Sequence, residues 1–385
     1  MRPKPTTLDP AVVSALAPLL PPYTTPTAST HGGSGFASTY SITTPSSTSS
    51  RPQKFFMKTT SAPGAEVMFR GEHASLNAIS DVVPSLAPRA YGFGKLENSA
   101  GYFLVTDFLD MSGGFGRRKS TSTAGSGMSL AEKLAKLHST PAPIPEGYNS
   151  PMFGFPVTTC CGDTPQDNEF LDDWAKFYGE KRLMGILKRG EQQNGKDSEL
   201  RKMVETLVQD VVPRLLRKGH LGGKGYINPV VIHGDLWSGN KGIATIDSPA
   251  AHSRSRTLSQ QQSRTSTHRH SHLDDEPHLP TITETPPQHS LSEDEPTLEE
   301  IIFDPSSVYG HSEYELGIMS MFGGFSSSFM KDYHRIVPKT EPVDEYDDRI
   351  QLYELYHHLN HYAIFGGGYK GGAMGIGKRL IAKYT

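Results

Sequence analysis

The 385-residue sequence has few cysteines, little net charge and no long apolar run. Its two cysteines, Cys160 and Cys161, are adjacent, and neighbouring cysteines rarely pair in ordinary disulfide geometry, so a disulfide framework is excluded. A reducing, cytoplasmic location is therefore expected. The formal charge of -3, from 38 basic and 41 acidic residues, excludes the basic surface of a dedicated nucleic-acid-binding protein. No segment approaches the roughly 20 apolar residues that span a bilayer, so no membrane partner is expected.

Residues 1–30 combine early basic residues with a short apolar run, as a secretory signal does. Asp9 and Pro10 precede that run and Pro18 interrupts it. We interpret the segment as a short amphipathic helix and a lead-in to the first strand, because this explains the pattern without a cleaved signal.

The stretch from about 245 to 296 is polar, repetitive and nearly free of large apolar residues. Such a segment cannot bury enough surface to offset the entropy lost on ordering, so we predict a disordered insertion. Its alternate histidines (His268, His270 and His272) are expected to be solvated, with metal binding as the alternative.

The remaining sequence changes from strand signals to helix signals along the chain. Aromatic and β-branched runs predict strands at 38–42 and 54–58 and a hairpin over 91–109, around a helix at 64–80. Helical spacing then dominates, beginning with a capping box at Ser129 and Glu132. We predict an α+β arrangement with a small β-rich lobe over 31–109 and a larger helical lobe over 110–385. The further helices are predicted at 172–189, 199–218 and 348–366, and Ser/Thr- or Gly-rich surface loops at 43–53 and 112–128.

The segment "VVIHGDLWSGN" (230–240) carries the spacing His-x-Asp-x-x-x-x-Asn after a β-branched run. Phosphoryl transfer from a nucleotide requires a group that accepts the proton of the attacking hydroxyl and oxygen ligands for magnesium. Asp235 fits the first role and Asn240 the second, with Gly234 and Gly239 permitting the turns of the loop. The spacing therefore predicts the catalytic loop of a kinase that uses ATP and Mg²⁺.

A magnesium ion needs a second oxygen ligand from elsewhere in the chain. Asp304 follows the apolar run "EEIIF", and removal of the predicted insertion leaves an ordinary loop length between Asn240 and Asp304. Asp247, in "GIATID", is the alternative ligand.

Phosphate binding is predicted in the small lobe. Lys58 ends a strand and Glu72 lies on the following helix, so the pair could hold the α and β phosphates; Glu66 is the alternative partner. Solvated side chains are the plainer explanation for either residue in isolation. The glycine-rich turn Gly32, Gly33, Ser34 and Gly35, placed between a helix and a strand, could supply amides to phosphate oxygens.

A second glycine-rich stretch, 372–379, matches Gly-x-x-x-x-Gly-Lys, but Arg379 stands where that motif requires Ser or Thr. We interpret it as a flexible tail. We expect His233 to brace the catalytic loop, and His311 and Glu313 to organise the helical lobe. Cys160 and Cys161 are expected to be small packing residues, with redox-sensitive thiols as the alternative.

Four segments together resemble the fructosamine/ketosamine 3-kinase family, over residues 31–382 outside the insertion. The resemblance implies a protein-kinase-like two-lobe fold. It also implies ATP- and Mg²⁺-dependent phosphorylation of the sugar 3-hydroxyl of ribulosamine or fructosamine adducts on protein lysines, which leads to protein deglycation and repair. The segments are "HGDLWSGN", "FDPSSVYGHSEYELGIM", "FGFPVTTCCGDTPQDNEFLDDWAKFYGEKRL" and "LYELYHHLNHYAIFGGGYKGGA".

The resemblance also implies roles for particular residues. Asp235 would be the catalytic base, Asn240 and Asp304 the magnesium ligands, and Lys58 with Glu72 the phosphate-binding pair. Trp237 would form an apolar platform for the sugar-lysine portion of the substrate, with a core aromatic as the alternative. Backbone groups of the segment between the lobes would meet adenine, and that segment comprises Thr106, Asp107, Phe108 and Leu109. Glycated proteins or small ketosamines would be the substrates of a monomeric enzyme.

The chain departs from the family pattern in three places, one of which is the long insertion before Asp304. Its glycine-rich loop is Gly32-Gly33-Ser34-Gly35 where many members carry Gly-Gly-Gly-Cys, so a disulfide switch at that loop is not expected. Glu315 precedes Leu316 where some members have aspartate, a longer acid of the same charge. Two other functions remain open: a small-molecule kinase of the aminoglycoside or choline kinase type, and a nucleotide-binding pseudokinase that uses the insertion to bind partners.

Overall fold

The computed structural model describes residues 6–34, 37–45, 52–112, 127–223, 225–247 and 298–385. The strands are β1 Thr6–Thr7, β2 Thr27–Ser34, β3 Ala37–Thr44, β4 Gln53–Thr60, β5 Ala90–Lys95, β6 Tyr102–Asp110, β7 Thr159–Cys161, β8 Thr164–Gln166, β9 Val230–Ile232, β10 Lys241–Asp247, β11 Glu299–Ile302 and β12 Val308–Gly310. An eight-stranded sheet has the order β1-β2-β3-β4-β6-β10-β11, and β5 pairs with β6. Two two-stranded sheets, β9 with β12 and β7 with β8, lie in the helical lobe.

Most of the helices lie in the C-terminal part of the chain, so the α+β, protein-kinase-like two-lobe fold is confirmed. Short π-helical segments at Phe177–Met184 and Leu207–Val211 join neighbouring α-helices. The α-helices are α1 Pro10–Leu16, α2 Ala65–Val82, α3 Leu130–Ser139, α4 Trp174–Lys176, α5 Gly185–Asn194, α6 Ser198–Thr206, α7 Val212–Leu216, α8 Glu313–Phe322, α9 Ser327–Ile336, α10 Tyr346–Phe365 and α11 Lys370–Tyr384. Among the described helices, none is both long and apolar enough to cross a bilayer.

The alternation of β4 explains how the small lobe presents its lysine. Phe55 and Met57 are buried in a core that also contains Val12 and Leu16 of α1. Because successive side chains of a strand point to opposite faces, Lys58 lies on the other face of the sheet. There it meets Glu72 of α2.

The N-terminal segment folds with the small lobe. The predicted short helix is present as α1, with the Asp9 side chain accepting a hydrogen bond from the Ala11 amide at 3.0 Å. Strand β2 begins at Thr27, ahead of the predicted lobe boundary at 31, and pairs with β1 through Thr6 and Thr7.

The helical lobe is built around buried aromatic side chains. The rings of Trp174, Tyr178, Tyr314 and Tyr353 lie 5.2–6.3 Å apart, and the indole nitrogen of Trp174 donates to the hydroxyl of Tyr353 at 2.8 Å. The predicted capping box at the start of α3 is also present. This core packs α8 and α10 against the strand pair of β9, which precedes the catalytic loop, and β12.

Two predictions about chain organisation are wrong. The insertion was predicted to begin at about 245, yet 245–247 belong to β10 and pair with 108–110 of β6. The remainder, 248–296, lies outside the described residues. The stretch 372–379 lies within helix α11 instead of a flexible tail, because its glycines allow close packing: a Cβ on Gly377 would lie 2.1 Å from the sulfur of Met203.

Candidate active site

The catalytic loop begins where β9 ends, and one glycine allows its first turn. Gly234 has a φ of +81°, and a Cβ there would lie 2.2 Å from the carbonyl oxygen of Ser306. Only glycine combines that dihedral with so close a backbone approach. The Ser306 amide in turn donates to the carbonyl of His233 at 2.8 Å. The loop that carries Asp235 is therefore fixed against the segment that follows Asp304.

His233 braces the loop, as predicted. Its Nδ1 accepts from the amide of Asp235 at 3.2 Å, and its Nε2 lies 2.9 Å from the carbonyl oxygen of Phe303. This pairing assigns the neutral tautomer with the proton on Nε2. Burial lowers the pKa of His233, which keeps the ring neutral. One imidazole thus connects Asp235 to the residue before Asp304.

Glu315 also holds the catalytic loop, through hydrogen bonds to its backbone. Its carboxylate, at the start of α8, accepts hydrogen bonds from the amides of His233 and Gly234, the latter at 3.0 Å. Although burial alone would raise the pKa of Glu315, the nearby His138 and His233 and these bonds lower it overall. The sequence shows Glu315 only as a longer acid than aspartate, and spacing does not predict its contact with the loop.

Asp235 lies in an environment that disfavours its charge. Burial, together with the carboxylates of Glu315 and Asp304, raises the pKa of Asp235 to about 8. The side-chain nitrogen of Asn240 donates to the backbone oxygen of Asp235 at 2.9 Å and approaches its carboxylate at 3.4 Å. The Cys161 sulfur lies within 4.8 Å of an oxygen of that carboxylate. A base whose pKa lies near neutrality is suited to accept a proton from a hydroxyl.

Lys58 brings the two lobes together. Its ammonium lies 2.7 Å from Oε1 of Glu72 and also pairs with Oδ1 of Asp304. Burial of the Lys58 ammonium lowers its pKa, but the nearby carboxylates of Glu72 and Asp304 have the larger effect. The pKa of Lys58 is therefore raised overall. The lysine is therefore charged, next to the aspartate predicted to hold the metal.

The alternative residues lie elsewhere. Glu66 pairs with Arg70 of its own helix and accepts from the hydroxyl of Tyr102 at 3.2 Å. The carboxylate of Asp247 accepts from the amide of Lys54 at 3.2 Å, at the end of β10. The structure thus brings Glu72 and Asp304, and neither alternative, to Lys58.

Asn240 and Asp304 supply the oxygen atoms that magnesium prefers. Because the Asn240 nitrogen is directed at Asp235, its amide oxygen is the atom left for a ligand. Asp304 has a φ of +57°, a left-handed conformation that aspartate tolerates better than most residues, and about half of its side chain is exposed. The charge of Asp304 is close enough to raise the pKa of Asp235. The donor chemistry therefore fits a hard divalent cation.

The glycine-rich segment forms the tip of a hairpin between β2 and β3, so it follows a strand and not the helix that was predicted. The register shifts between Thr30 and Gly33, and Gly32 has a φ of +82°. The hydroxyl of Thr39 donates to the carbonyl of His31 at 2.8 Å and holds the bulge. Ser34 ends β2, and Gly35 lies outside the described residues.

The four residues of the segment predicted to contact adenine pair with different strands of the sheet. Thr106 pairs with both β4 and β5, and the Asp107 amide donates to the carbonyl of Arg89 at 2.9 Å. The backbone of these two residues is therefore paired within the sheet. Phe108 and Leu109 lie beyond the end of β5 and pair with β10.

Trp237 is surface-exposed instead of a core aromatic. Its side chain is 38% exposed, and its ring lies 5.7 Å from that of Phe322, which is 37% exposed. The ring of His361 lies 5.0 Å from Phe322 and continues the row. Phe322 and His361 were missed in the sequence, because helical spacing alone assigns them to a core face.

The comparisons with known proteins agree with this geometry. The fructosamine kinase family matches residues 23–253 and 290–383. The chain is 32% identical to the protein-ribulosamine 3-kinase, chloroplastic, of Arabidopsis thaliana, over 84% of this chain and 74% of the relative. It is also 32% identical to the ketosamine-3-kinase of Mus musculus, over 85% of this chain and 88% of the relative.

A solved structure of a candidate fructosamine-3-kinase from Thermobifida fusca shares the fold, with a TM-score of 0.58 and 18% identity over 92% of this chain and 93% of the other. The family match extends over both lobes, from the glycine-rich hairpin to α11. The chain belongs to the fructosamine kinase family.

Proposed function

We infer that the chain is an ATP- and Mg²⁺-dependent ketosamine 3-kinase. It phosphorylates the sugar 3-hydroxyl of ribulosamine or fructosamine adducts on protein lysines and so takes part in protein deglycation. The observation that carries this proposal is the convergence of Lys58, Asp304 and Asp235 from three separate segments, in a chain of the fructosamine kinase family.

Each residue has one task in the proposed reaction. Asp235 accepts the proton of the attacking hydroxyl, and its loop is held by His233 and Glu315. Lys58, oriented by Glu72, binds the phosphates of the nucleotide. The amides of the β2–β3 hairpin cover those phosphates, and the backbone of Phe108 and Leu109 is the candidate adenine contact.

Asn240 and Asp304 would hold the magnesium ion, which when bound supplies neutralisation of phosphate charge. Lys58 and a cation would both neutralise Asp304, so its carboxylate can exchange one partner for the other without being left unpaired. That exchange would free the ammonium for the nucleotide while the pair with Glu72 keeps it in position.

The row of Trp237, Phe322 and His361 is the proposed substrate platform. Exposed aromatic rings present a flat apolar face to the carbon faces of a sugar and to the methylene chain of lysine. Trp237 follows the proposed base by two positions, so the platform and the base belong to the same loop.

The test is phosphorylation of a ribulosamine-lysine peptide with Mg-ATP, followed by mass spectrometry. The protein should add one phosphate per adduct, and Asp235→Asn should reduce kcat by about 100- to 10,000-fold, the range for general base catalysis. Asp235→Asn should still bind nucleotide, which a thermal shift with ATP would show. Equal turnover by the wild-type and Asp235→Asn proteins would contradict the proposal.

A substrate panel distinguishes the related functions. Fructosyl, ribulosyl and erythrulosyl peptides should be phosphorylated in preference to choline and aminoglycosides. Turnover of only the amino-alcohols would favour the small-molecule kinase. Nucleotide binding with no turnover of any substrate would favour the pseudokinase.

A further inference from the structure

Cys161, Asp235 and His357 bring three different metal-ligating atoms together beneath the catalytic loop. The cysteine sulfur, a carboxylate oxygen and an imidazole nitrogen all lie within 4.8 Å of one another. The residues come from the end of β7, from the catalytic loop and from the middle of α10. None of the proposed kinase steps uses the sulfur of Cys161 or the ring of His357.

His357 is the least expected member of this cluster. Its side chain is 1% exposed, and among the described residues neither ring nitrogen has a hydrogen-bond partner. An unpaired buried polar group costs about 1 to 3 kcal/mol, so such groups are rare and a bound ion is one explanation for them. Burial also lowers the pKa of His357 to about 3, so the ring is neutral and offers a lone pair.

The donor set identifies the class of ligand. Thiolate and imidazole select borderline-soft cations such as Zn²⁺, whereas magnesium prefers oxygen. Three protein ligands with a fourth position left open are typical of accessible zinc sites. Cys161 and His357 are buried and Asp235 is partly exposed, so the open position would lie on the solvent-exposed side of Asp235.

We propose that Cys161, Asp235 and His357 form a site for a divalent cation of the Zn²⁺ class, and that its occupation blocks phosphoryl transfer. On binding, the Cys161 thiol and the Asp235 carboxyl each lose a proton to solvent, and the sulfur, a carboxylate oxygen and a nitrogen of the neutral His357 ring each form one bond to the metal. The site itself stands on geometry alone. The inhibition rests on the proposed function, because an Asp235 oxygen bound to a metal cannot accept the hydroxyl proton.

Typical zinc bond lengths are about 2.0 to 2.3 Å, so the ligand atoms must approach one another by roughly 1 Å from their widest separation. Side-chain rotation supplies this movement in part. Asn360 donates to the sulfur of Cys161 at 3.3 Å and to its backbone oxygen at 3.2 Å, which keeps the sulfur near α10.

Cobalt substitution tests the site directly. The full chain, stripped of metals with a chelator that is then removed, is titrated with Co²⁺, and thiolate-to-cobalt charge-transfer absorption is recorded. The chain has only Cys160 and Cys161, so any such absorption comes from one of them. Cobalt bound by the histidines at 268–272 gives no thiolate absorption, which removes that source of confusion.

Cys160→Ser is the matched control, because neighbouring residues of a strand point to opposite faces. Wild type and Cys160→Ser should show the absorption, and Zn²⁺ should abolish it by displacement. Cys161→Ser should lack it, and His357→Asn should weaken cobalt affinity by at least about 10- to 100-fold. If Cys161→Ser does not fold, the cobalt affinity of His357→Asn by itself tests the site.

The second measurement is inhibition by Zn²⁺ of turnover with Mg-ATP and a ribulosamine peptide. Wild type should be inhibited and His357→Asn should resist. Absence of thiolate absorption in wild type, or its persistence in Cys161→Ser, would overturn the site. Absorption in a protein that turns over but is not inhibited would overturn the inhibitory role, whereas absorption in a protein with no kinase activity supports the site and contradicts the proposed function.

Discussion

At the scale of single residues, Lys58 contacts two carboxylates that have different roles. The side chains of Lys58 and Glu72 are 13% and 12% exposed, whereas that of Asp304 is 46% exposed and is predicted to bind the metal. Glu72→Gln should lower kcat/KM for ATP by about 10- to 100-fold, because loss of one charge-assisted bond costs about 1.5 to 3 kcal/mol and leaves Lys58 with Asp304 alone. Steady-state kinetics with varied ATP would measure this effect.

Glu66→Gln is the control for that variant. Glu66 lies on the same helix, but its carboxylate pairs with Arg70 near the surface. Its loss should leave the ATP parameters unchanged. An equal effect of the two substitutions would show that α2 as a whole, and not the pair with Lys58, is responsible.

Trp237 tests the proposed substrate platform. Trp237→Ala should raise KM for a ribulosamine peptide by about 10-fold, equal to ~1.4 kcal/mol of binding free energy, because one aromatic contact is lost. KM for ATP should not change, and Trp237→Phe should have an intermediate effect. Tyr226→Ala, which removes another exposed aromatic side chain, is the control variant. A larger change in KM for ATP than for the peptide would place Trp237 at the nucleotide.

At the scale of elements, the first turn of α8 anchors the catalytic loop through Glu315. Glu315→Gln should lower kcat with little change in KM for ATP or for the peptide. The reason is that the NH2 group of glutamine would face one of the two backbone N–H groups, of His233 and Gly234, to which the carboxylate now bonds. The unpaired group should also reduce the free energy of unfolding by about 1 to 3 kcal/mol. Kinetics and urea denaturation measure the two effects.

Glu354→Gln serves as the control, because its carboxylate contacts Ser320 and His358 near the surface. Glu315→Asp keeps the charge but is shorter by one methylene, so it should recover only part of the activity. Full activity in Glu315→Gln would show that the loop is held by its other contacts.

Elements with a strong local signal were predicted correctly, and elements that depend on packing were not. The strand around Lys58 and the capped helix at Ser129 have period-two and capping patterns that operate within a few residues. Helix α11 has a glycine-rich sequence of low helical propensity. It forms because its glycines pack closely on other helices, a contact that no local window contains.

At the scale of the whole molecule, β10 and β11 form an antiparallel hairpin with Ala244 opposite Glu299. The chain positions on either side of 248–297 are therefore close together. Replacement of 248–297 by about five residues rich in glycine and asparagine should preserve kinase activity toward a ketosamine peptide. It should stabilise the fold by up to ~2 kcal/mol, since a loop about tenfold shorter costs less entropy to close.

Thermal unfolding and the peptide assay measure both effects. The control is replacement of 248–297 by a scrambled sequence of the same length and composition. This variant should have the same stability as the parent protein. Loss of turnover in both variants would show that this part of the sequence takes part in catalysis.

The sequence by itself determined the kinase chemistry, since His233, Asp235 and Asn240 lie within one short loop and their spacing reflects a local geometric requirement. Asp304 could be predicted because it follows a strand, but its choice over Asp247 required the fold, as did the choice of Glu72 over Glu66. Only the tertiary structure joined Glu315 to the loop, Phe322 to Trp237, and Cys161 and His357 to Asp235. The physical reason is that these contacts link segments far apart in the chain, where backbone topology and core packing decide which side chains meet.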